Sequence, residues 1–395
     1  MSLNDTPSAE RVQIAFTGRT NTGKSSLINA VTNQNVSIVS EISGTTADPV
    51  SKAMELLPIG AVSIIDTAGY DDTGALGAKR IEKTLNVLSR IDIAVIVIDA
   101  REGIKEQDKK IIELLDKNNI KYITAYNKCD LVSGLKPLKE NEIYTSALKN
   151  ININELKEKI AAMHKYLPEE KGLTDGIVKE NDTVLLVTPI DESAPKGRLI
   201  LPQQQVLRDI LDKGGICAVV QPAQLKEALK RFPAPDLVIT DSQAFEYVNK
   251  TLPENIKLTS FSILFARYKG ILKTAVKGAE YIEQIKDGDK ILISEGCTHH
   301  RKCGDIGTVK LPKWIENYTK KSFKYEFSSG MSFPENLEKY ALIIHCGGCM
   351  LNEREVLNRY NSAAKQNIPI ANYGIIIAYM HGILKRSIEV FPEIG

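Results

Sequence analysis

The chain contains 395 residues, of which 43% are hydrophobic and 25% are charged. These fractions are ordinary for a soluble globular protein and exclude a collagen, a coiled coil or a disordered chain. The formal net charge is only +2, so the composition does not demand a nucleic-acid partner. At roughly 100–200 residues per domain, the length predicts two to four domains.

The amino-terminal segment lacks the cationic start and apolar run of a signal peptide. No stretch approaches the roughly 20 apolar residues that are needed to cross a bilayer. Six cysteines are too few for a disulfide scaffold, and four of them fall between positions 297 and 349, where metal binding is favoured. We therefore expect a cytoplasmic protein with no membrane partner.

A phosphate-binding loop follows the first apolar run of the chain. The strand-like run leads into GRTNTGKSS, which fits the pattern G-x4-G-K-S, and a helical segment follows directly. This order places a ring of backbone N–H groups and the positive end of a helix around phosphates. Lys24 adds a cation near the β- and γ-phosphates, and the Ser25 hydroxyl is a predicted Mg²⁺ ligand. The residues predicted to bind nucleotide here are Gly18, Asn21, Gly23, Lys24, Ser25 and Ser26.

A second strand-like run lies in VSIIDTAGY (62–70) and ends in the sequence DTAG, residues 66–69. Its carboxylate, Asp66, can hold Mg²⁺ through water, and the backbone N–H of Gly69 can approach the γ-phosphate. Together with the phosphate loop, these residues predict a nucleotide site where neighbouring strands end.

A third run, YITAYNKCD, indicates that the nucleotide is guanine. Its end carries Asn127, Lys128 and Asp130, and the aspartate can accept hydrogen bonds from the ring N–H and the exocyclic amine of guanine. Adenine does not supply that arrangement of donors, so an ATP-binding protein is the weaker alternative. Ser146 and Ala147 follow at the position where a backbone N–H would contact the guanine carbonyl.

In these motifs, residues 11 to about 165 resemble the TrmE/Era-like GTPases. The resemblance implies a doubly wound sheet with the nucleotide at its carboxyl edge. The segment Gly44-Thr45-Thr46 resembles their first switch, which implies that Thr46 is the second Mg²⁺ ligand. Lys24, Thr46 and Gly69 are then the predicted catalytic residues. Asn21 matches an asparagine that holds K⁺ in some relatives, where the ion replaces an arginine finger.

The sequence departs from Ras-like enzymes at Tyr70, which stands where they carry a water-orienting glutamine. We therefore expect slow hydrolysis that K⁺ or a partner accelerates. Asp71, Asp72 and Glu102 are candidates for orienting the water, although a solvated surface acid is the favoured interpretation for each.

The middle of the chain repeats the α/β pattern without a second phosphate loop. A charged segment with glycine and proline, 166–182, predicts a linker. Strand-type runs then alternate with helix-type segments over 183–266, which favours a parallel sheet. With no chemistry visible there, dimerisation is the expected role.

The last part of the chain carries two cysteine and histidine motifs, each directly after an apolar run. Cys297 and His299 follow the first run, and His345, Cys346 and Cys349 follow the second. Ligands gather where the strands of an open parallel sheet end, so two neighbouring ends can bring the three thiols together.

The spacing leaves the kind of site open. Three thiolates with a replaceable fourth ligand suit a 4Fe-4S cluster, although the ferredoxin spacing is absent. A mixture of Cys and His suits structural Zn²⁺. A site without metal is a further alternative, and a redox dithiol would leave Cys297 and the two histidines unexplained.

The combination of a TrmE/Era-like GTPase with C-x-H and H-C-x-x-C motifs is similar to the HydF family, the GTPases of FeFe-hydrogenase maturation. The resemblance implies an α/β protein with three domains, a phosphate-loop GTPase with a doubly wound sheet and two smaller domains with mainly parallel sheets. The predicted segments are a flexible N-terminus (1–10), the GTPase domain (11–165), a linker (166–182), a dimerisation domain (183–266) and an iron–sulfur domain (267–395).

The same resemblance implies a 4Fe-4S cluster held by Cys297, Cys346 and Cys349. His299 and His345 are implied either as an exchangeable fourth ligand or as donors around the cluster. The family resemblance further implies a homodimeric scaffold that receives a di-iron precursor from radical-SAM maturases and passes it to apo FeFe-hydrogenase. It also implies that the first domain binds GTP or GDP together with Mg²⁺ and K⁺. No nucleic-acid partner is expected.

Two other functions compete with this hypothesis. A ribosome- or RNA-associated GTPase with a zinc-stabilised C-terminal domain predicts a basic face, but HHRK and LKRS are short. A redox-sensing GTPase would use its cysteines as a switch.

Overall fold

The structure is a computed structural model that describes residues 10–32, 50–57, 59–67, 69, 87–88, 90–136, 138–164, 172–190, 199–232, 234–296, 306–330 and 332–393. The predictions for the N-terminal residues 1–9 and for Thr46, Tyr70, Asp71, Asp72, Cys297 and His299 fall outside these residues. The chain divides into two compact units, 1–169 and 170–395.

The first unit contains a six-stranded sheet in the order β2-β3-β1-β4-β5-β6, parallel except for β2. Its strands are β1 (Val12–Thr17), β2 (Val50–Leu56), β3 (Gly60–Asp66), β4 (Ile93–Asp99), β5 (Lys121–Asn127) and β6 (Glu142–Tyr144). The helices that lie fully within its described residues are α1 (Lys24–Thr32), α2 (Glu106–Lys117) and α3 (Ile153–His164).

The central strands of this sheet are buried on both faces. Every residue of β4 is buried, as expected for a continuous apolar run in a parallel sheet. Ile93 and Val95 belong to the core on one face, whereas Ala94 and Ile96 belong to the core on the other. Side chains at alternate positions therefore hold helices against both faces.

The second unit contains two parallel four-stranded sheets, ordered β10-β9-β7-β8 and β12-β11-β13-β14. The strands are β7 (Thr183–Val187), β8 (Ile216–Val220), β9 (Leu237–Thr240), β10 (Leu258–Ser260), β11 (Lys290–Glu295), β12 (Lys324–Ser329), β13 (Leu342–His345) and β14 (Ile370–Asn372). The helices are α4 (Leu201–Asp212), α5 (Leu225–Arg231), α6 (Phe245–Thr251), α7 (Phe261–Tyr268), α8 (Leu272–Glu280), α9 (Leu311–Thr319), α10 (Glu353–Lys365), α11 (Tyr373–Met380) and α12 (Leu384–Ile388).

One hydrophobic core runs through both sheets of the second unit. Helix α8 packs closely on β14, because a Cβ at Gly278 would lie only 2.0 Å from the carbonyl oxygen of Ile370. The α/β fold class with parallel sheets is confirmed. The boundary between 183–266 and 267–395 stays a prediction, since a single core crosses it.

None of the helices in the described part of the chain combines the length and apolar character that a membrane crossing requires.

Candidate nucleotide and metal sites

The phosphate loop lies between β1 and α1. Asn21 adopts a left-handed conformation with φ of 63°. The Lys24 Nζ atom donates to the carbonyl oxygens of Gly18 and Arg19, both at 2.9 Å, which holds the ammonium over the loop. Gly23 has φ of 87°, and a Cβ there would lie 2.4 Å from Asn127 Nδ2, so the site needs glycine on both counts.

Asn127 joins the phosphate loop to the segment predicted to contact guanine. It is buried at the end of β5, where its Nδ2 donates to Thr22 O at 3.0 Å and its Oδ1 accepts from the Ala147 N–H at 3.1 Å. The neighbouring Ser146 is buried, and its Oγ accepts from the Lys149 N–H at 3.1 Å. The fold therefore brings three predicted nucleotide-binding segments together.

Lys128 supports the same arrangement from the residue after β5. Its Nζ donates to Asn21 O at 2.5 Å and forms an ion pair with Asp99 at 2.8 Å. Arg101 and then Lys128 hydrogen-bond the Asp99 carboxylate and hold its pKa far below the usual range. Asp130 lies in the following short turn, Cys129–Leu131, with its side chain exposed.

The Asp66 carboxylate lies beside Ser25. Its Oδ2 accepts from the Ser25 hydroxyl at 3.0 Å, whereas its Oδ1 is buried without a hydrogen-bond partner among the described residues. Burial raises the pKa of Asp66, against the Ser25 hydrogen bond and the Lys24 charge. An acceptor of this kind fits a hydrated Mg²⁺ ion, because a metal-bound water supplies the missing donor. Gly69 follows after the end of β3.

Arg19 occupies a variable position of the phosphate-loop pattern, so the motif does not predict its role. Arg19 is buried and pairs with Asp108 at 3.1 Å and with Glu102 at 2.6 Å. Glu102 also pairs with Lys105 at 2.8 Å. The Glu102 carboxylate, a candidate for orienting water, is therefore engaged in an ion-pair network.

The C-x-x-C segment starts where β13 ends. Cys346 Sγ accepts hydrogen bonds from the Gly348 N–H at 3.3 Å and from the Gly296 N–H at 3.0 Å. Gly296 directly precedes Cys297 in the chain. Among the residues that the structure describes, no three Cys, His, Asp or Glu side chains form a group that could hold a metal. Cys297 and His299 lie outside those residues.

His345 is fully buried, and both of its ring nitrogens have partners. Its Nε2 lies 3.2 Å from Arg359 Nη1, and its Nδ1 lies 2.7 Å from Cys346 O. Because a guanidinium can only donate, Nε2 accepts and the proton is on Nδ1, which donates to the carbonyl. This neutral imidazole therefore orients the backbone of Cys346. Arg359 is itself held by Glu355 at 2.9 Å.

Lys269 belongs to no recognisable sequence motif, but its side chain contacts the loop that contains Cys346 and Cys349. Its buried ammonium donates to Gly348 O and, at 2.8 Å, to Leu351 O. Burial lowers the pKa of Lys269 to about 8, against the opposing influence of Cys349 and Cys346. Burial raises the pKa of the Cys349 thiol, and Lys269 partly opposes this effect. Paired thiols with N–H donors and a nearby cation suit an anionic iron–sulfur group.

Protein-family models match this chain over most of its length. The hydrogen maturase F dimerization domain matches residues 173–270, and the hydrogen maturase F tetramerization domain matches residues 273–390. The chain belongs to the hydrogen maturase F (HydF) family. The first unit is a GTPase domain, because a family described as a 50S ribosome-binding GTPase matches residues 13–128.

Curated relatives named as GTPases match part of this HydF-family chain. The tRNA modification GTPase MnmE of Mesoplasma florum is 28% identical over 263 residues, which cover 65% of this chain and 51% of that protein. The GTPase Der of Kosmotoga olearia is 35% identical over 172 residues, which cover 38% of each chain. The chain thus spans about half, or less, of these relatives.

Among solved structures, Era of Aquifex aeolicus bound to GDP and AlF4⁻ is similar to this chain. It has 21% identity and a TM-score of 0.35, and the match covers 60% of this chain and 97% of that chain.

Proposed function

We propose that this chain is a GTP-hydrolysing scaffold of FeFe-hydrogenase maturation. It holds a 4Fe-4S cluster, receives a di-iron precursor from radical-SAM maturases and delivers that precursor to apo FeFe-hydrogenase. The observation that carries this proposal is the hydrogen bond from the Gly296 N–H to Cys346 Sγ. This bond holds Gly296, the residue before Cys297, next to the first thiol of the C-x-x-C segment. The matched dimerization and tetramerization domains support self-association.

In the first unit, GTP binds with Mg²⁺ at the carboxyl edge of the sheet. Ser25 and Thr46 are the proposed metal ligands, and Asp66 acts through water, which the unpartnered Oδ1 supports. Lys24 and the Gly69 N–H stabilise the charge that develops on the γ-phosphate. We further propose that Asn21 holds a K⁺ ion beside the phosphates.

In the second unit, Cys297, Cys346 and Cys349 are the proposed cluster ligands. When bound, the cluster supplies an iron with a replaceable fourth ligand. The Gly296 and Gly348 N–H groups lower the electron density on Cys346 Sγ by donating to it. Because both of its ring nitrogens are engaged, His345 is proposed to orient the loop, which leaves His299 as the candidate for the fourth ligand.

We propose that GTP controls partner binding or precursor transfer without entering the cluster chemistry. The order of the segments around Thr46 and Asp66–Gly69 changes with the γ-phosphate, as in other GTPase switches. This change in the order of the two segments alters the contacts that the chain makes with its partners.

Activation of apo FeFe-hydrogenase by the anaerobically purified chain tests this function. The native protein and Lys110→Ala, an exposed control on α2, should activate the hydrogenase, whereas Lys24→Ala should not. Full activation by Lys24→Ala would remove nucleotide from the mechanism. A colourless protein with one zinc per chain and no activation would favour the RNA-associated alternative.

A further inference from the structure

Lys269 joins two segments of the second unit. It directly follows α7 and belongs to the part of the chain that matches the dimerization domain, 173–270. Its side chain, however, enters the C-x-x-C loop, which belongs to the part that matches the tetramerization domain, 273–390. The cysteine loop is therefore held by a residue that lies 79 positions before Gly348 in the chain.

The position of the Lys269 ammonium is well defined by its contacts. The Lys269 N–H donates to Phe265 O at 3.0 Å, and Nζ lies 5.8 Å from the centre of the Phe265 ring. Nζ then donates to Gly348 O, between the two cysteines, and to Leu351 O at 2.8 Å, just beyond them. Two consecutive parts of the loop are thus tied to one cation.

The charge on Lys269 has no carboxylate within ion-pair distance in the part of the chain that the structure describes. Burying a charge is unfavourable unless an opposite charge compensates it. Only 3% of Lys269 is exposed; the Cys349 and Cys346 thiols favour its charged form most, and Glu353, whose carboxylate lies beyond ion-pair distance, favours it less. We therefore expect a negatively charged group at the cysteine site to compensate the charge of Lys269.

Tyr360 gives a second, independent indication of a group at this site. Its hydroxyl is buried and has no hydrogen-bond partner among the described residues, and its ring packs 6.2 Å from that of His345. A buried hydroxyl without a partner is costly, which points to an acceptor bound close to the loop.

We propose that Lys269 is a positioning residue through which the dimerization segment holds the Cys346–Cys349 loop and compensates the negative charge of the bound iron–sulfur group. This inference rests on the proposed function. Positive charge near an iron–sulfur group favours its reduced form, so Lys269 raises the reduction potential.

Potentiometric EPR titration of the anaerobically reconstituted full chain tests the inference. Lys269→Gln removes the charge but retains a donor, and Lys269→Met removes both. Lys277→Met, at an exposed position on α8, is the matched control. Iron content, sulfide content and circular dichroism are measured on the same samples.

The potential should shift to more negative values in Lys269→Gln and Lys269→Met and stay at the native value in Lys277→Met. Lys269→Met should also retain less iron than Lys269→Gln. A native potential in both Lys269 variants would overturn the inference while the proposed function stands. Unfolding of both Lys269 variants, with Lys277→Met folded, would overturn it as well, because Lys269 would then serve folding alone. Absence of iron from the native chain would overturn the proposed function, and the inference with it.

Discussion

The backbone N–H of Gly296 donates to Cys346 Sγ over 3.0 Å, although the two residues are 50 positions apart in the chain. The cause is the pairing of β11 with β13, which sets Ser294 opposite His345. Both strands therefore leave the sheet at the same edge. The second cysteine motif begins beside the segment that enters the first, as the carboxyl edge of a parallel sheet requires.

Asn127→Ala should weaken GTP binding at least tenfold, or about 1.4 kcal/mol. The Asn127 amide ties Thr22 O to the Ala147 N–H, so both sides of the nucleotide site lose a hydrogen bond. At about 1 kcal/mol for each bond, the free energy of unfolding should fall by about 2 kcal/mol. Fluorescent GTP titration and urea unfolding measure these effects. The exposed amide of Asn118, the residue directly after α2, provides the control, Asn118→Ala, and equal GTP affinity in the two variants would contradict this role.

K⁺ should accelerate GTP hydrolysis at least about tenfold relative to Na⁺ at equal ionic strength. The variant Asn21→Gly keeps the left-handed backbone conformation and removes the side chain, so it should lose the preference for K⁺. Phosphate release in the two salts measures the preference. Equal rates for the native protein in K⁺ and Na⁺ would exclude the potassium site.

Glu326→Gln should destabilise the protein at neutral pH but not in acid. Lys290, Lys339 and Tyr340 all hydrogen-bond this carboxylate and lower its pKa from 4.5 to about 2. A depressed pKa in the folded state stabilises the protein above the unfolded value of 4.5, and this stabilisation is lost as the pH falls toward 2.

The measurement for Glu326 is the difference in melting temperature from the native protein, followed downward from pH 7. The exposed Glu338→Gln variant provides the control. A difference for Glu326→Gln that stayed constant through acid pH would contradict the assignment.

Tyr360→Phe should stabilise the metal-free protein by about 1 kcal/mol, because it removes a buried hydroxyl that has no partner. Tyr340→Phe is the contrasting control, since the Tyr340 hydroxyl donates to Glu326 at 2.5 Å and its loss should destabilise by about 1 kcal/mol. Urea unfolding of both variants measures the difference. Equal destabilisation by the two substitutions would show that the Tyr360 hydroxyl has a partner in the folded protein.

The nucleotide site is largely predictable because its chemistry lies in short segments. The phosphate loop and the segment from Asn127 to Asp130 each specify a local backbone and a set of functional groups. The hydrogen bonds of Asn127 were not predictable, because its partners are 105 and 20 positions away. Likewise, the ion pair with Arg19 gives Glu102 a partner that is 83 positions away.

The sequence predicts where the cysteine motifs lie in the sheet, but it does not predict which side chains contact them. The apolar runs before them form neighbouring strands, which places Gly296 beside Cys346. Lys269 lies 79 positions before Gly348 and follows an aromatic helix, where nothing in the sequence separates a buried lysine from an exposed one. Only the packing of the second unit reveals its contact with the loop.

Iron and sulfide content after anaerobic reconstitution, together with the EPR spectrum of the reduced protein, tests the central claim most directly. The native chain and Cys217→Ser, a control in β8, should each bind about four irons and four sulfides and show the signal of a reduced cluster. Cys297→Ser and Cys346→Ser should lose most of this iron and change the signal. Unchanged iron and an unchanged spectrum in Cys297→Ser would contradict a cluster held jointly by the two motifs.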